Sequence, residues 1–423
     1  MKILWITNVL FPDICKEIGR QAPVTGGWMK SLAETLVEAY PDVELAVAAL
    51  YGSGKPLLEK KIGKVTYFCL PFYEYETDYN PKMERVWKEV KSRFNPDVVH
   101  IHGTEYPYGL AYVRANGVQN AVVSIQGLVG VYARYSLGQI PVDTLKRYRT
   151  LYDYLKRSVL KMPGDMEKQG RLEVDYLSTF SHVIGRTDWD KEHAWAINPD
   201  CTYHFCNETL RKPFYDEKNR WSIQECEPHS IFLSQAHKPI KGIHKVIEAL
   251  PMILRHYPDT EVYVAGADFT NVDGLVNRLK FGTYANYIKH LMQEKGVADR
   301  FHFLGMLDEN QMANQYRKAH VFVCPSSIEN SPNSLGEAQL IGTPCVASYV
   351  GGVPAMLEHE KSGLMYRFEE HEMLAAAVCR IFADADLACL LSQNERMEAA
   401  MRHDGSHNAR RTYHIYTDII ERK

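Results

Sequence analysis

The 423-residue sequence predicts an α/β protein made of two doubly wound, mostly parallel sheets. Three observations carry that expectation. Short β-branched or aromatic runs alternate with longer amphipathic stretches, and this alternation occurs twice along the chain. The runs are also apolar throughout rather than at every second residue, as in strands covered on both faces. At roughly 150 residues per domain, the length fits two or three domains.

In the first half, strands are expected at Lys2–Thr7, Glu44–Leu50, Val65–Leu70, Val98–Gly103, Ala121–Gln126, His182–Thr187 and Thr202–Cys206. In the second they are expected at Ile231–Ser234, Glu261–Ala265, Arg300–Leu304, His320–Cys324, Cys345–Ser348 and Gly363–Tyr366. Residues 208–230 are charged and lack a helical period, which makes them the linker between domains 1–207 and 231–408. A helix over Gly242–Tyr257 opens the second domain, with Ile243, Val246, Ile247, Leu250, Ile253 and Leu254 on its apolar face. Ala409–Ile420 patterns as a final helix within 409–423. Sheets of this kind take ligands beyond the carboxyl ends of their strands, and here also in a cleft across which the two domains face each other.

Composition narrows the function. With 45% hydrophobic and 24% charged residues the chain is globular rather than disordered. The 49 Lys plus Arg against 52 Asp plus Glu leave a net charge of −3, so no polycation is present to hold nucleic acid through phosphates alone. The 9 cysteines include no Cys-x-x-Cys pair and several sit in apolar runs, which fits free thiols in a reducing compartment better than disulfides or zinc. Met1–Thr7 lacks a small-residue cleavage site and reads as a first buried strand. No window approaches the roughly 18–20 apolar residues of a membrane span. A cytoplasmic protein is expected.

Most of the chemical information lies between Val321 and Val346, which reads strand, loop, helix, turn, strand. Ser331 is expected to cap the helix, with Pro332 at its first position, and Gly342 and Pro344 to end it. The loop then offers free N–H groups and a positive dipole end, a setting for phosphate. Glu329 precedes the helix and Glu337 lies eight positions on. Two carboxylates beside a phosphate repel it unless each accepts hydrogen bonds from ligand hydroxyls.

This Glu-x7-Glu segment, followed by Gly-Thr-Pro-Cys-Val-Ala and Gly351-Gly352-Val353-Pro354, resembles the family-4 retaining glycosyltransferases of the GT-B fold. The resemblance spans nearly the whole chain and is densest in its second half. It implies two Rossmann-like domains, a C-terminal helix that crosses back to the first, and sugar transfer from a nucleotide-diphosphate sugar with retention and without a metal or other cofactor. By position, Glu329 would contact the donor sugar, the amides of Ser334 and Leu335 the diphosphate, and Glu337 the ribose. Gly266, Asn330 and Asn333 join the donor-binding set.

Lys241, in Gln235-Ala-His-Lys238-Pro-Ile-Lys241-Gly242, precedes a helix, where a cation opposes the macrodipole unless an anion is near. The resemblance makes it a diphosphate ligand. The family's arginine six residues earlier is Gln235 here, which removes one positive charge, and Lys238 is placed to compensate. In the first half, Pro23-Val-Thr-Gly26-Gly27-Trp28 follows the first strand, where two glycines let a backbone approach a diphosphate. Asp97-Val-Val-His100-Ile-His102 puts both histidines on one strand face with His102 at the carboxyl end. Without a third ligand they make no metal site. The family's second histidine lies beside donor sugar and acceptor, so His102, Glu329 and Lys241 form the catalytic set, and Gln126 is a candidate for polar contact.

Tyr132–Arg171 interleaves basic residues and tyrosines, a pattern suited to anionic membrane surfaces or to a plain solvated helix pair. The expected partners are thus a nucleotide-diphosphate sugar, a glycan or lipid-linked acceptor, and the inner face of a membrane through 132–171. The expected process is cell-envelope or capsular polysaccharide synthesis. A nucleotide-sugar epimerase, a sugar phosphorylase and a non-catalytic nucleotide-sugar binder remain the alternatives.

Overall fold

A computed structural model describes residues 1–22, 26–52, 54–72, 78–155, 158–274 and 281–421. Pro23, Val24 and Thr25 of the glycine loop, and Lys156 and Arg157 of the basic segment, lie outside the described residues. The chain forms two compact units that do not follow its order. Met1–Gly130, Glu167–Arg211 and Arg402–Lys423 make the first, Val131–Met166 and Lys212–Met401 the second.

The first unit holds an eight-stranded sheet. Its strands are β1 Lys2–Ile6, β2 Glu44–Leu50, β3 Leu58–Ile62, β4 Val65–Leu70, β5 Val98–His102, β6 Ala121–Ser124, β7 His182–Gly185 and β8 Thr202–Phe205. They run in the order β3-β4-β2-β1-β5-β6-β7-β8. All pairings are parallel except β3 with β4, which form a hairpin. The sequence reading omits β3: Leu-Glu-Lys-Lys-Ile alternates half-buried with exposed residues, as a charged edge strand does, and carries no apolar run.

The second unit holds six strands in the order β11-β10-β9-β12-β13-β14, all parallel. They are β9 Glu227–Leu233, β10 Glu261–Val264, β11 Phe301–Phe303, β12 Ala319–Cys324, β13 Cys345–Ser348 and β14 Leu364–Tyr366. The expected 208–230 linker is partly absorbed here, because β9 begins at Glu227. Ahead of it, Phe214 and Trp221 are buried, and Trp221 Nε1 donates to Ala319 O at 2.8 Å. Two buried aromatics anchor what lacks any periodic pattern.

The excursion Val131–Met166 also belongs to the second unit, although it leaves and re-enters the first. Asp153 explains the docking: its Oδ2 accepts from the amides of Thr150 and Thr283 at 3.1 and 2.9 Å and from both hydroxyls at 2.8 and 2.7 Å. Asn286 Nδ2 donates to Tyr148 O, and Ser327 Oγ to Tyr135 O. At the chain's end the helix Gly405–Glu421 belongs to the first unit. There Tyr413 stacks on Tyr40 at 3.9 Å between ring centroids, and Tyr416 accepts a hydrogen bond from Trp5 Nε1 at 2.9 Å.

All nine cysteines are free, and six are buried. Among the described residues no helix is long and apolar enough to cross a membrane.

Candidate active site

Strand order fixes where each unit can bind a ligand. In both sheets the direction of winding reverses once, between β1 and β5 in the first and between β9 and β12 in the second. Loops leaving the carboxyl ends on either side of such a reversal diverge and open a crevice. Gly26–Gly27 open the helix that follows β1 and its connection, His102 ends β5, and the connections leaving β9 and β12 carry Lys241 and Glu329.

In the second unit, Lys241 Nζ lies 2.5 Å from Glu329 Oε1, which also accepts from Ser326 Oγ at 2.7 Å. Burial works against the Lys241 charge, but the adjacent Glu329 carboxylate prevails and holds its pKa above the ordinary lysine value. The approach needs Gly242. Its φ of +71° is left-handed, and any Cβ there would overlap Pro325 O at the end of β12. Gly352 N donates to Glu329 O at 3.0 Å, so the Gly351–Pro354 loop fixes the glutamate backbone.

The helix after β12 spans Asn333–Ile341. Ser331 does not cap it: Pro332 occupies the N-cap in an extended conformation, without a side-chain capping bond. Its pyrrolidine ring sets φ. Leu335, expected to give its amide to a diphosphate, donates to Pro332 O at 3.0 Å. Asn333 and Ser334 remain as first-turn donors without intrahelical acceptors. Gly342 ends the helix at φ +86°. Glu337 and Asn330 are buried, at 6% and 1% exposure, so Glu337 is not a solvated helix residue. Gly266 donates its amide to Gly305 O at 2.8 Å, and its carbonyl accepts from Gly305 N at 3.1 Å. Gln235 and Lys238 are exposed.

In the first unit, Gly26 is the left-handed N-cap of the helix Gly27–Ala39, and the Arg211 side chain lies against Gly27. The two histidines of β5 differ in kind. His100 is a satisfied core residue, with Nδ1 2.6 Å from Tyr416 Oη and Nε2 2.5 Å from Ser124 Oγ. His102 is equally buried, yet neither ring nitrogen has a partner among the described residues. Burial drives its pKa down to about 3, so it is neutral at pH 7.

His102 lines a pocket with Trp28, Gln126, Arg186, Asn207 and Glu208. Arg186 and Glu208 form a buried ion pair there, and Arg186 Nη2 also donates to Ile125 O and Gln126 O at 3.1 and 2.8 Å. The sequence reading passed over this pair. Arg186 follows β7 directly, so the strand-end rule that selected His102 would have flagged it.

Residues 215–402 match the family profile described as Glycosyl transferases group 1. The chain is 22% identical, over 97% of its own length and 92% of the relative, to the Bacillus subtilis protein named "Putative glycosyltransferase YtcC". It is 25% identical to D-inositol 3-phosphate glycosyltransferase of Corynebacterium urealyticum over 43% of this chain and 41% of that protein. Two solved structures share the fold. Sucrose-phosphate synthase from Thermosynechococcus elongatus has a TM-score of 0.72 at 19% identity, with both chains covered fully. Anabaena HepE in complex with UDP-glucose has a TM-score of 0.65 at 15% identity, covering 99% of this chain and 100% of that one. The fold is GT-B, with two Rossmann-like domains, and the chain is a glycosyltransferase, an enzyme of sugar transfer.

Proposed function

We propose that the chain is a retaining, family-4 type glycosyltransferase that moves a sugar from a nucleotide-diphosphate sugar to a hydroxyl of a glycan or lipid-linked acceptor, without a metal. The observation that carries this reading is the Lys241–Glu329 pair, held at the crossover of the second sheet beside the Asn333–Ile341 helix start. Departure of the diphosphate leaves negative charge where Lys241 and the amides of Asn333 and Ser334 offer fixed positive potential. Glu329 has acceptor capacity for sugar hydroxyls, and Glu337 has the same for ribose. In the first unit, His102 is buried and neutral and can accept or donate a hydrogen bond. Retention follows if the departing phosphate itself takes the acceptor proton on the same face.

Thermal stabilisation by UDP, GDP, ADP and their sugars tests the donor class, since a bound ligand raises the melting temperature by mass action. UDP is the first choice because it is the nucleotide in the HepE complex. Release of nucleoside diphosphate only on adding acceptor separates a transferase from a binder. No stabilisation by any nucleotide would sink the reading.

A place at the cytoplasmic face of a membrane, in cell-envelope polysaccharide synthesis, fits the nine free thiols. It also fits the excursion, where Leu151 and Tyr154 are 82% and 73% exposed near Arg147 and Arg149. Retention on anionic but not neutral vesicles checks it.

A further inference from the structure

Lys241 and Glu329 stand on separate segments, the turn Pro239–Lys241 and the loop that leaves β12, so their 2.5 Å contact lasts only while the two backbones keep register. A misplacement of about 1 Å at a reacting group can cost on the order of 10²-fold in rate. Ser327 N donates to Ile240 O at 2.9 Å and joins the two segments directly, one residue before Lys241 and two before Glu329. The Ser327 side chain reaches a third segment. Its hydroxyl is buried and donates to Tyr135 O at 2.8 Å, with Ile240 O farther off at 3.3 Å. Three residues past Lys241, the buried His244 ring has Nε2 2.8 Å from Gly138 O. A carbonyl oxygen only accepts, so Nε2 carries the proton, and burial takes the His244 pKa down to about 3 and keeps the ring neutral at pH 7. Gly138 permits the approach: its φ is +59°, and a Cβ there would overlap Pro239 O and His244 Cε1. Tyr135 and Gly138 belong to the excursion Val131–Met166, which Asp153 fastens to Thr283 within the same unit.

We infer that Ser327 and His244 are positioning residues for the Lys241–Glu329 pair, tying the Lys241 turn and the Glu329 loop to the carbonyls of Tyr135 and Gly138 so that the excursion sets the distance between the two charges. The consequence for turnover rests on the sugar-transfer reading of the pair. The brace itself does not. Its hydroxyl tie is more than a way to satisfy the backbone. Without the Ser327 hydroxyl, Tyr135 O still accepts from Gly138 N at 2.9 Å and Ile240 O still accepts from Ser327 N, so neither carbonyl is orphaned. What the hydroxyl adds is a tether between positions 192 residues apart.

The test uses the full chain with Ser327→Ala, His244→Phe and His244→Gln, the last of which keeps an N–H for Gly138 O. Backbone hydrogen exchange is followed over 238–244 and 326–330. Turnover is measured with whichever nucleotide sugar raises the wild-type melting temperature most, in each variant alone and on Lys241→Ala. Ser327→Ala should melt within about 2 °C of wild type, because no acceptor is orphaned. It should still speed exchange in both segments about tenfold, the loss of one hydrogen bond. His244→Phe should speed exchange over 238–244 by a similar factor, and His244→Gln should restore it. In Ser327→Ala and His244→Phe, kcat should fall about tenfold with the donor KM nearly unchanged, and on Lys241→Ala neither should lower it further, since no pair remains to be placed. Exchange unaltered in both variants overturns the inference. So does a loss of turnover that multiplies with that of Lys241→Ala, the behaviour of a merely structural role. Faster exchange in both segments, in a chain that binds no nucleotide or whose Lys241→Ala variant turns over like wild type, keeps the brace and overturns the sugar-transfer reading of the pair instead.

Discussion

The two crossovers of the two sheets solve the same problem in opposite ways. In the second unit the crossover is ionic and paired: Lys241, Glu329 and Ser326 satisfy one another before any ligand arrives. In the first, a neutral His102 whose ring nitrogens lack partners among the described residues lines a pocket beside the buried Arg186–Glu208 ion pair. A charged diphosphate needs fixed countercharge that does not reorganise as the bond breaks. A buried neutral ring pays its desolvation cost until hydrogen-bonding groups meet it.

The largest expected effect breaks the ionic half. Lys241→Ala should lower kcat by roughly 10²–10³-fold, the loss typical of one preorganised electrostatic group, with an unchanged circular dichroism spectrum. Near-wild-type turnover would remove Lys241 from the mechanism. Next, Gly242→Ala should destabilise the second unit by about 3 kcal/mol, because a left-handed φ and an overlap with Pro325 O act together. A melting temperature equal to wild type would show that the Lys241 turn does not need that close approach.

A third prediction concerns pH and the first unit. Glu173 is buried, and its Oε2 accepts from Gly130 N at 3.0 Å. Burial raises its pKa from 4.5 to about 8, aided by Glu105. The folded state keeps this proton up to about pH 8, while an unfolded chain releases it near 4.5. The stability it contributes is complete below pH 4.5 and is lost as pH rises to about 8. Glu173→Gln should therefore flatten the decline of melting temperature over that window; an unaltered slope would place the titration elsewhere.

A smaller effect separates the paired histidine from its unpaired neighbour. Tyr416→Phe leaves Trp5 Nε1 and His100 Nδ1 without their partner and should cost about 1–3 kcal/mol of stability. Turnover should stay near wild type, because His100 serves the core. A fall in kcat matching that of a His102 variant would show that the two rings act as one unit. Smallest of all, Gln235→Arg restores the missing charge at an exposed position and should tighten nucleotide binding by only a few-fold. A change of a hundredfold would mean that Gln235 shapes the clamp itself.

The sequence alone determined the strand series, because parallel strands buried on both faces are apolar throughout and stand out against amphipathic helices. It also singled out Lys241 and Glu329, which precede helix starts, and His102, at a strand end. Three features waited for tertiary structure. The edge strand Leu58–Ile62 is defined by its partner β4 rather than by its own residues. The segment Val131–Met166 joins the second unit through Asp153 and Thr283, which are 130 positions apart. The Arg186–Glu208 pair, and the His102 ring nitrogens without partners among the described residues, depend on burial and on partners present or missing in space. Periodicity records which face of an element is dry; it does not record which distant group is there to meet a polar atom, and that decides the chemistry of a buried site.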